Sequence, residues 1–240
     1  YLLLCFISVF HLLNQVFLLM DIIDLLPRLE RLDSCALSDA LDALGRPGVV
    51  TGITRQSTRQ AVAGRVRTMK MAAGSPPGES TVHLGVRSID EAEDTDVIVI
   101  EQKSGVDAAT WGGVLSEATH HKHIRGVVIE GAVRDIDEIN ETGLPVFARS
   151  VTPLSARGRI HEEAINVPVT IGTVTVNPGD LVFADGTGVV FLAQDFAEEI
   201  IQQAERIADK ERLMVEAVHE HKPVTEVMGK DYETMLGTQE

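Results

Sequence analysis

Three short β-branched runs, separated by stretches of helical character, constrain this chain more than any other feature of its sequence. Val97-Ile98-Val99-Ile100, Gly126-Val127-Val128-Ile129 and Pro145-Val146-Phe147-Ala148 read as buried strands. Between the first two, residues 111–123 have helical propensity with Gly112-Gly113 at their head. Between the second and third, Ile136 and Ile139 fit one face of a short helix ending near Gly143. Parallel neighbours need a crossover connection, so two αβ units in succession predict a partly parallel sheet and an α/β fold class.

The flanking segments are read by the same rules. Residues 37–47 form a short helix capped by Ser38 and stopped by Gly45 and Pro47. Residues 61–71 mix Val62, Val66 and Met69 with Arg65, Arg67 and Lys70, the pattern of a half-exposed strand in which Gly64 marks a bulge. Residues 90–96 carry five acids and read as a solvated helix end or turn. Beyond Pro153 short strands are expected over 167–171, 173–176, 180–184 and 188–192, followed by a long helix from about Asp195 to about His221. There is no internal repeat, and the boundary signal around 151–156 is slight, so residues 21–240 are expected to form one composite domain.

Composition narrows the function classes. Asp and Glu number 36 against 21 Lys and Arg, a net charge of −15 that repels phosphate backbones, so no nucleic-acid partner is expected. Two cysteines, Cys5 and Cys35, suit a reducing compartment, with the cytoplasm as the expectation. Residues 1–20 are strongly apolar, but the first Lys or Arg is Arg28. The basic flank of a membrane span and the small-residue cleavage site of a signal peptide are both missing. Met20 is therefore read as the native start, with residues 1–19 as upstream read-through or cloning sequence, and no membrane partner is expected.

Several chemistries drop out. His120, His121 and His123 lack the i, i+4 spacing of helical metal ligands, and His161-Glu162-Glu163 lacks a second zinc-ligating histidine. No Gly-x-Ser-x-Gly elbow and no phosphate-binding Gly-x-x-x-x-Gly-Lys occurs. Lys70, Lys103 and Lys122 stay open as Schiff-base candidates, with no pattern favouring one. What stands out is Gly112-Gly113-Val114-Leu115 opening a helix, together with Gly131-Ala132-Val133-Arg134-Asp135 just past a strand. Free amides at a helix start favour an anion, Arg134 adds a bidentate clamp, and Asp135 is a hard oxygen donor suited to Mg²⁺ or Mn²⁺. Together they describe a site for a 2-oxo acid. A plainer reading stands beside it, in which Arg134 and Asp135 form a salt bridge at a helix start and Asp135 is the N-cap.

The run WGGVLSEATHHKHIRGVVIEGAVRD resembles the signature of the RraA-like family, which includes the 4-hydroxy-4-methyl-2-oxoglutarate/4-carboxy-4-hydroxy-2-oxoadipate aldolases. Gly126, Val127, Val128, Gly131, Arg134 and Asp135 fill its second part, and NPGDLVFADGTGVV and LSDALDALG are similar to further family segments, so the likeness spans roughly residues 35–220. It implies a swivelling β/β/α fold with a long C-terminal helix, assembled as a homotrimer or dimer of trimers with sites between subunits. In the aldolases, the loop matching Gly112, Gly113, Val114 and Leu115 gives amides to the substrate. The Arg matching Arg134 binds the 2-oxo acid, and the Asp matching Asp135 ligates Mg²⁺ through or beside water. A neighbouring subunit's helix adds a Glu, for which Glu205 and Glu211 are the candidates here.

The implied activity is a divalent-metal-dependent lyase. It would cleave a 4-hydroxy-2-oxo diacid to pyruvate and a second 2-oxo acid, with oxaloacetate decarboxylation as a side activity. One departure is Gly113, where many family aldolases carry Asp or Glu. The family also contains non-catalytic proteins that bind and inhibit an endoribonuclease, and a third alternative is a lyase for another oxo acid. Its specificity would lie in loops such as 149–160, with Arg149, Arg157 and Arg159. An older association of the family with a menaquinone methyltransferase finds no glycine-rich nucleotide fingerprint here.

Overall fold

The computed structural model describes residues 24–76, 78 and 82–229, so the apolar stretch 1–20 lies outside the described residues. The strands are β1 (Val49–Val50), β2 (Thr54–Arg55), β3 (Val62–Ala73), β4 (Asp96–Glu101), β5 (Ala109–Trp111), β6 (Gly126–Val133), β7 (Val146–Val151), β8 (Ile160–Ile165), β9 (Val169–Ile171), β10 (Val174–Val176), β11 (Leu181–Ala184) and β12 (Val189–Leu192). Ten of them form a mixed sheet in the order β1-β12-β11-β3-β4-β6-β7-β2, with β5 on β6 and β8 on β3. The β3-β4-β6-β7 block is parallel, as the αβ units predict. β9 and β10 form a separate hairpin.

Alternation along the central strands divides the apolar side chains between two cores. Ile98, Ile100, Val127 and Ile129 join Trp111, Ile139 and Leu144. Val97, Val99 and Val128 join Val66, Phe147 and Val169. A strand covered on both faces reads as a continuous apolar run, which is why these were legible. A third core packs the Ser34–Ala43 helix and the long Ala197–His219 helix onto β11 and β12 through Leu37, Leu41, Phe183, Val190, Ile200 and Ile207.

Four local expectations are corrected. The helix expected over 37–47 starts at Ser34 with Asp33 as its cap, accepting from the Ala36 amide at 2.8 Å, and Ser38 lies inside it. Ala36, Leu37, Ala40 and Leu41 are all buried, so the apolar face begins before Ser38. β3 is a central strand and not a half-exposed one. Gly64 keeps regular register with Val182, and the irregularity falls at Lys70/Met71, where β8 pairs. The glycine answers a close approach instead: a Cβ there would meet the Thr95 carbonyl oxygen at 2.8 Å and Val97 at 2.7 Å. The acidic stretch is not wholly solvated, because Asp96 is fully buried and accepts from Arg65 Nε at 2.7 Å and Arg67 Nε at 2.9 Å. β8, finally, was passed over; its charged residues at 161–163 hide a strand beside β3.

Asp185 joins the Ser34–Ala43 helix to the β11–β12 turn, accepting from Ser34 N (3.0 Å), Ser34 Oγ (2.8 Å) and Thr187 N (2.8 Å). Burial pushes its pKa up, but these bonds outweigh burial and hold it below the ordinary value. A carboxyl whose folded pKa is depressed stabilises the fold above its unfolded pKa of about 4, and loses that contribution as pH falls through the folded value. Asp185→Asn is therefore expected to lower stability at neutral pH and to flatten the acid decline. Urea unfolding at a series of pH values measures both effects.

Candidate active site

β5 builds the site. On one edge it pairs in parallel with β6, Ala109 opposite Ala132 and Trp111 opposite Val133. This places Gly112, the next residue on one chain, beside Arg134 and Asp135, the next residues on the other. The Arg134 amide donates to the Trp111 carbonyl at 3.1 Å. Glycine is needed at 112 for space alone, since its backbone is extended: a Cβ would lie 2.6 Å from Asp135 Oδ2 and 3.2 Å from Arg134 Cγ.

Asp135 has φ 58° and ψ 44°, the left-handed region that side chains rarely adopt. Held there, it occupies the N-cap position of the Ile136–Thr142 helix without capping it. Its Oδ2 instead accepts the Gly113 amide at 3.0 Å, at the start of the Gly113–His121 helix, and lies 3.3 Å from Arg134 Nε. The plainer expectation thus holds for the ion pair and fails for the cap. Strain of this kind persists where surrounding structure enforces it, and it collects at functional sites. Both side chains stay open to solvent, 41% for Arg134 and 34% for Asp135. The following first-turn amides, of Val114 and Leu115, find no acceptor among the described residues.

Gly112, Val114, Leu115, Arg134 and Asp135 line a cleft of about 540 Å³, and Gly113 faces away from it. Leu84, Val86 and Trp111 make its apolar walls, with His83 and the 155–157 loop at its margin. The wall around Gly85 is fastened by Glu162, which accepts the Gly85 amide at 2.8 Å and the Arg87 guanidinium at 2.6 Å. Sequence reasoning considered Glu162 only within a failed zinc pattern, and nothing in the local text separates a buried tether from a surface charge. His83 carried no signal at all.

The remaining candidates lie elsewhere. Glu205 is engaged by Arg28 of its own chain at 2.9 and 2.7 Å, and that hydrogen bond holds its pKa below the ordinary carboxylate value. Glu211 is pushed the other way, by burial and by the charges of Asp33 and Asp39. Neither lines the cleft of its own chain. Lys70 pairs with Glu163, Lys103 donates to the Gly172 carbonyl and Lys122 to the carbonyls of Ile89 and Asp90. None of the three faces the cleft.

Among the described residues no three His, Cys, Asp or Glu side chains gather as a metal-holding group. Asp135 fits Mg²⁺ on different grounds: that ion keeps several waters and takes one or two carboxylates, and this carboxylate is accessible in a cleft. Among the described residues no helix is long and apolar enough to cross a membrane.

A family model described as RraA-like: Aldolase/RraA matches residues 34–191. Protein DlpA of Legionella pneumophila is 32% identical over 180 residues, which is 75% of this chain and 29% of DlpA. An uncharacterised Methanocaldococcus jannaschii protein is 39% identical over 112 residues, and there the match covers 53% of the relative. The chain thus spans about a third and about half of these two relatives. A Halalkalibacterium halodurans protein, provisionally named a 4-hydroxy-4-methyl-2-oxoglutarate aldolase, is 30% identical over 77% of this chain and 83% of its own. Among solved structures, an uncharacterised Pseudomonas syringae protein superimposes with a TM-score of 0.77 at 31% identity, covering 86% of this chain and 97% of that one. Streptomyces coelicolor RraAS2, described as an unusual member of the RNase ES inhibitor RraA protein family, gives 0.70 at 26% identity, over 79% and 94%. The mixed sheet and the long C-terminal helix are shared with these structures, and this chain belongs to the RraA-like family.

Proposed function

We propose that this protein is a divalent-metal-dependent lyase that cleaves a 4-hydroxy-2-oxo diacid to pyruvate and a second 2-oxo acid, and that also decarboxylates oxaloacetate. The observation that carries the reading is the strained Asp135, whose carboxylate meets the Gly113 amide beside Arg134 inside an open cleft. Both reactions break the bond between C3 and C4 and leave its electron pair on C3, next to the 2-oxo group, so one site serves both. Mg²⁺ or Mn²⁺ held by Asp135 supplies Lewis acidity toward that group. Arg134 pairs with the 2-oxo acid's carboxylate, and the amides of Val114 and Leu115 add donors at the positive end of a helix. Leu84, Val86 and Trp111 give the bound acid an apolar wall, and these interactions strengthen where substrate displaces water from it. Pyruvate release, coupled to lactate dehydrogenase, tests the reading with 4-hydroxy-4-methyl-2-oxoglutarate and oxaloacetate, each with Mg²⁺ and with chelator. No metal-dependent release from folded protein overturns it.

The proposal includes assembly as a homotrimer or dimer of trimers in the cytoplasm. In its support, the long helix outruns its own core: Ile207 is its last buried residue, and Leu213, Val215 and Val218 are exposed. Analytical ultracentrifugation checks the state.

An acid at Gly113 is accommodated only if Glu138 gives way by a few tenths of an ångström, since a Cβ would meet Glu138 Cβ at 3.3 Å and Asp135 Cβ at 3.5 Å. Gly113→Asp is expected to tighten Mn²⁺ binding by about 10-fold, the scale of a residue supporting a metal ligand. Titration followed by electron paramagnetic resonance reads it. The likeness to RraAS2 and the charge of −15 favour a second reading, a non-catalytic protein that binds an endoribonuclease. Co-purification of such an enzyme with protein that releases no pyruvate would select it.

A further inference from the structure

Residues 149–159, from the end of β7 to the start of β8, carry three arginines, and the structure sorts them. Arg149 is engaged by Glu130, with its Nη2 at 2.8 Å from Oε2, and by the Thr51 carbonyl at 3.0 Å. Arg159 donates to the Ser155 carbonyl at 3.0 Å. Arg157 lines the cleft and has no hydrogen-bond or ion-pair partner among the described residues.

Its backbone, by contrast, is firmly held. The Ala109 amide donates to Leu154 at 2.9 Å, Ser155 bridges Ala109, Ala156 is buried in the core, and the amides of Arg159 and Ile160 both return to the Ala156 carbonyl. β5 is therefore the common ruler of the site. One of its edges sets Arg134 and Asp135 through β6, and the other sets Arg157 through Ser155. The chains flanking a strand lie two strand spacings apart, about 10 Å, so the backbones that carry Arg134 and Arg157 flank β5 on its two edges while both residues line the cleft. With Arg134 and Arg157 against Asp135, the cleft is cationic inside a protein of net charge −15. A local excess of this sign draws a dianion where the rest of the surface repels it.

We infer that Arg157 is the specificity residue that takes the second carboxylate of a dicarboxylic 2-oxo acid, opposite the end held by Arg134. The inference rests on the proposed oxo-acid site and names its substrate class as diacids. Planar guanidinium geometry suits this task, because a fork on a fixed backbone binds a carboxylate through two parallel bonds.

Calorimetric titration of the full chain in Mg²⁺ buffer with 2-oxoglutarate and with 2-oxopentanoate, which has the same carbon chain without the second carboxylate, tests it. Wild-type protein is expected to bind the diacid tighter by about 10- to 100-fold, the range of a hydrogen bond to a charged group. Arg157→Ala should erase that preference and leave monoacid affinity unchanged, Arg157→Lys should keep part of it, and Arg159→Ala should keep all of it. Absence of the preference, its survival in Arg157→Ala, or failure of wild type to bind either acid overturns the inference. Pyruvate release is measured separately: a preference that depends on Arg157 without any release would retain Arg157 and discard the lyase reading.

Discussion

Asp135→Ala is expected to lower metal-dependent pyruvate release by about 10²- to 10³-fold, the scale of losing one preorganised electrostatic group from a reacting centre. The fold should survive it. Alanine in the left-handed region costs about 1–2 kcal/mol, a modest fraction of a typical 5–15 kcal/mol. Asp135→Asn separates charge from conformation, because asparagine tolerates the same backbone and keeps a similar shape. Asn should therefore match wild type in thermal stability and match Ala in lost turnover. The Gly113 amide would still find an oxygen in Asn, so its bond does not explain a shared defect. Lactate dehydrogenase-coupled rates alongside circular dichroism provide the comparison. Wild-type-like turnover in Asp135→Ala would remove the metal-carboxylate assignment altogether.

The largest loss of stability is expected from a residue far from the cleft. Asp96 is fully buried between Arg65 and Arg67, whose side chains are 16% and 17% exposed, and it also accepts the Glu93 amide at 2.9 Å. Removing the acid takes the buried Nε partner from two mostly buried guanidinium groups, leaving Arg65 only the exposed Glu93 and Arg67 only Asn166 as hydrogen-bond partners, and breaking one partner of a buried pair costs about 3–5 kcal/mol. Asp96→Ala should lower the melting temperature by about 10 °C or more at a scale of roughly 2–4 °C per kcal/mol for a chain of this size. Asp90, exposed in the same acidic run, should change stability by no more than about 0.5 kcal/mol when replaced by Ala. Equal effects at the two positions would mean that the whole run is solvated after all.

These two aspartates show where sequence reasoning works and where it stops. The Arg134-Asp135 ion pair was legible because several unusual types converge locally: paired glycines before a helix, and an Arg-Asp pair just past a buried strand. Asp96 was not, since its neighbours Glu93, Asp94 and Asp90 give the run the look of a solvated turn. Its burial depends on β3 lying beside β4, a pairing between segments 31 residues apart for Arg65 and Asp96. Glu162 was missed for the same reason, its partners Gly85 and Arg87 being over 70 residues away. Arg149, Arg157 and Arg159 are chemically alike in the sequence, and only their partners tell the free one from the two engaged.

What the sequence determined by itself were the properties that local spacing encodes: the αβ alternation that makes the sheet partly parallel, the apolar runs of β4 and β6, the glycine-led helix, and the Arg134-Asp135 pair. Only the tertiary structure decided that Asp135 turns from its own helix to the Gly113 amide, that Asp96 is a buried tie, and that Arg157 lines the cleft without a partner among the described residues. The physical reason is range. Periodicity and turn chemistry act over a few residues, whereas burial and ion pairing are settled by chain segments that meet only after the sheet has formed.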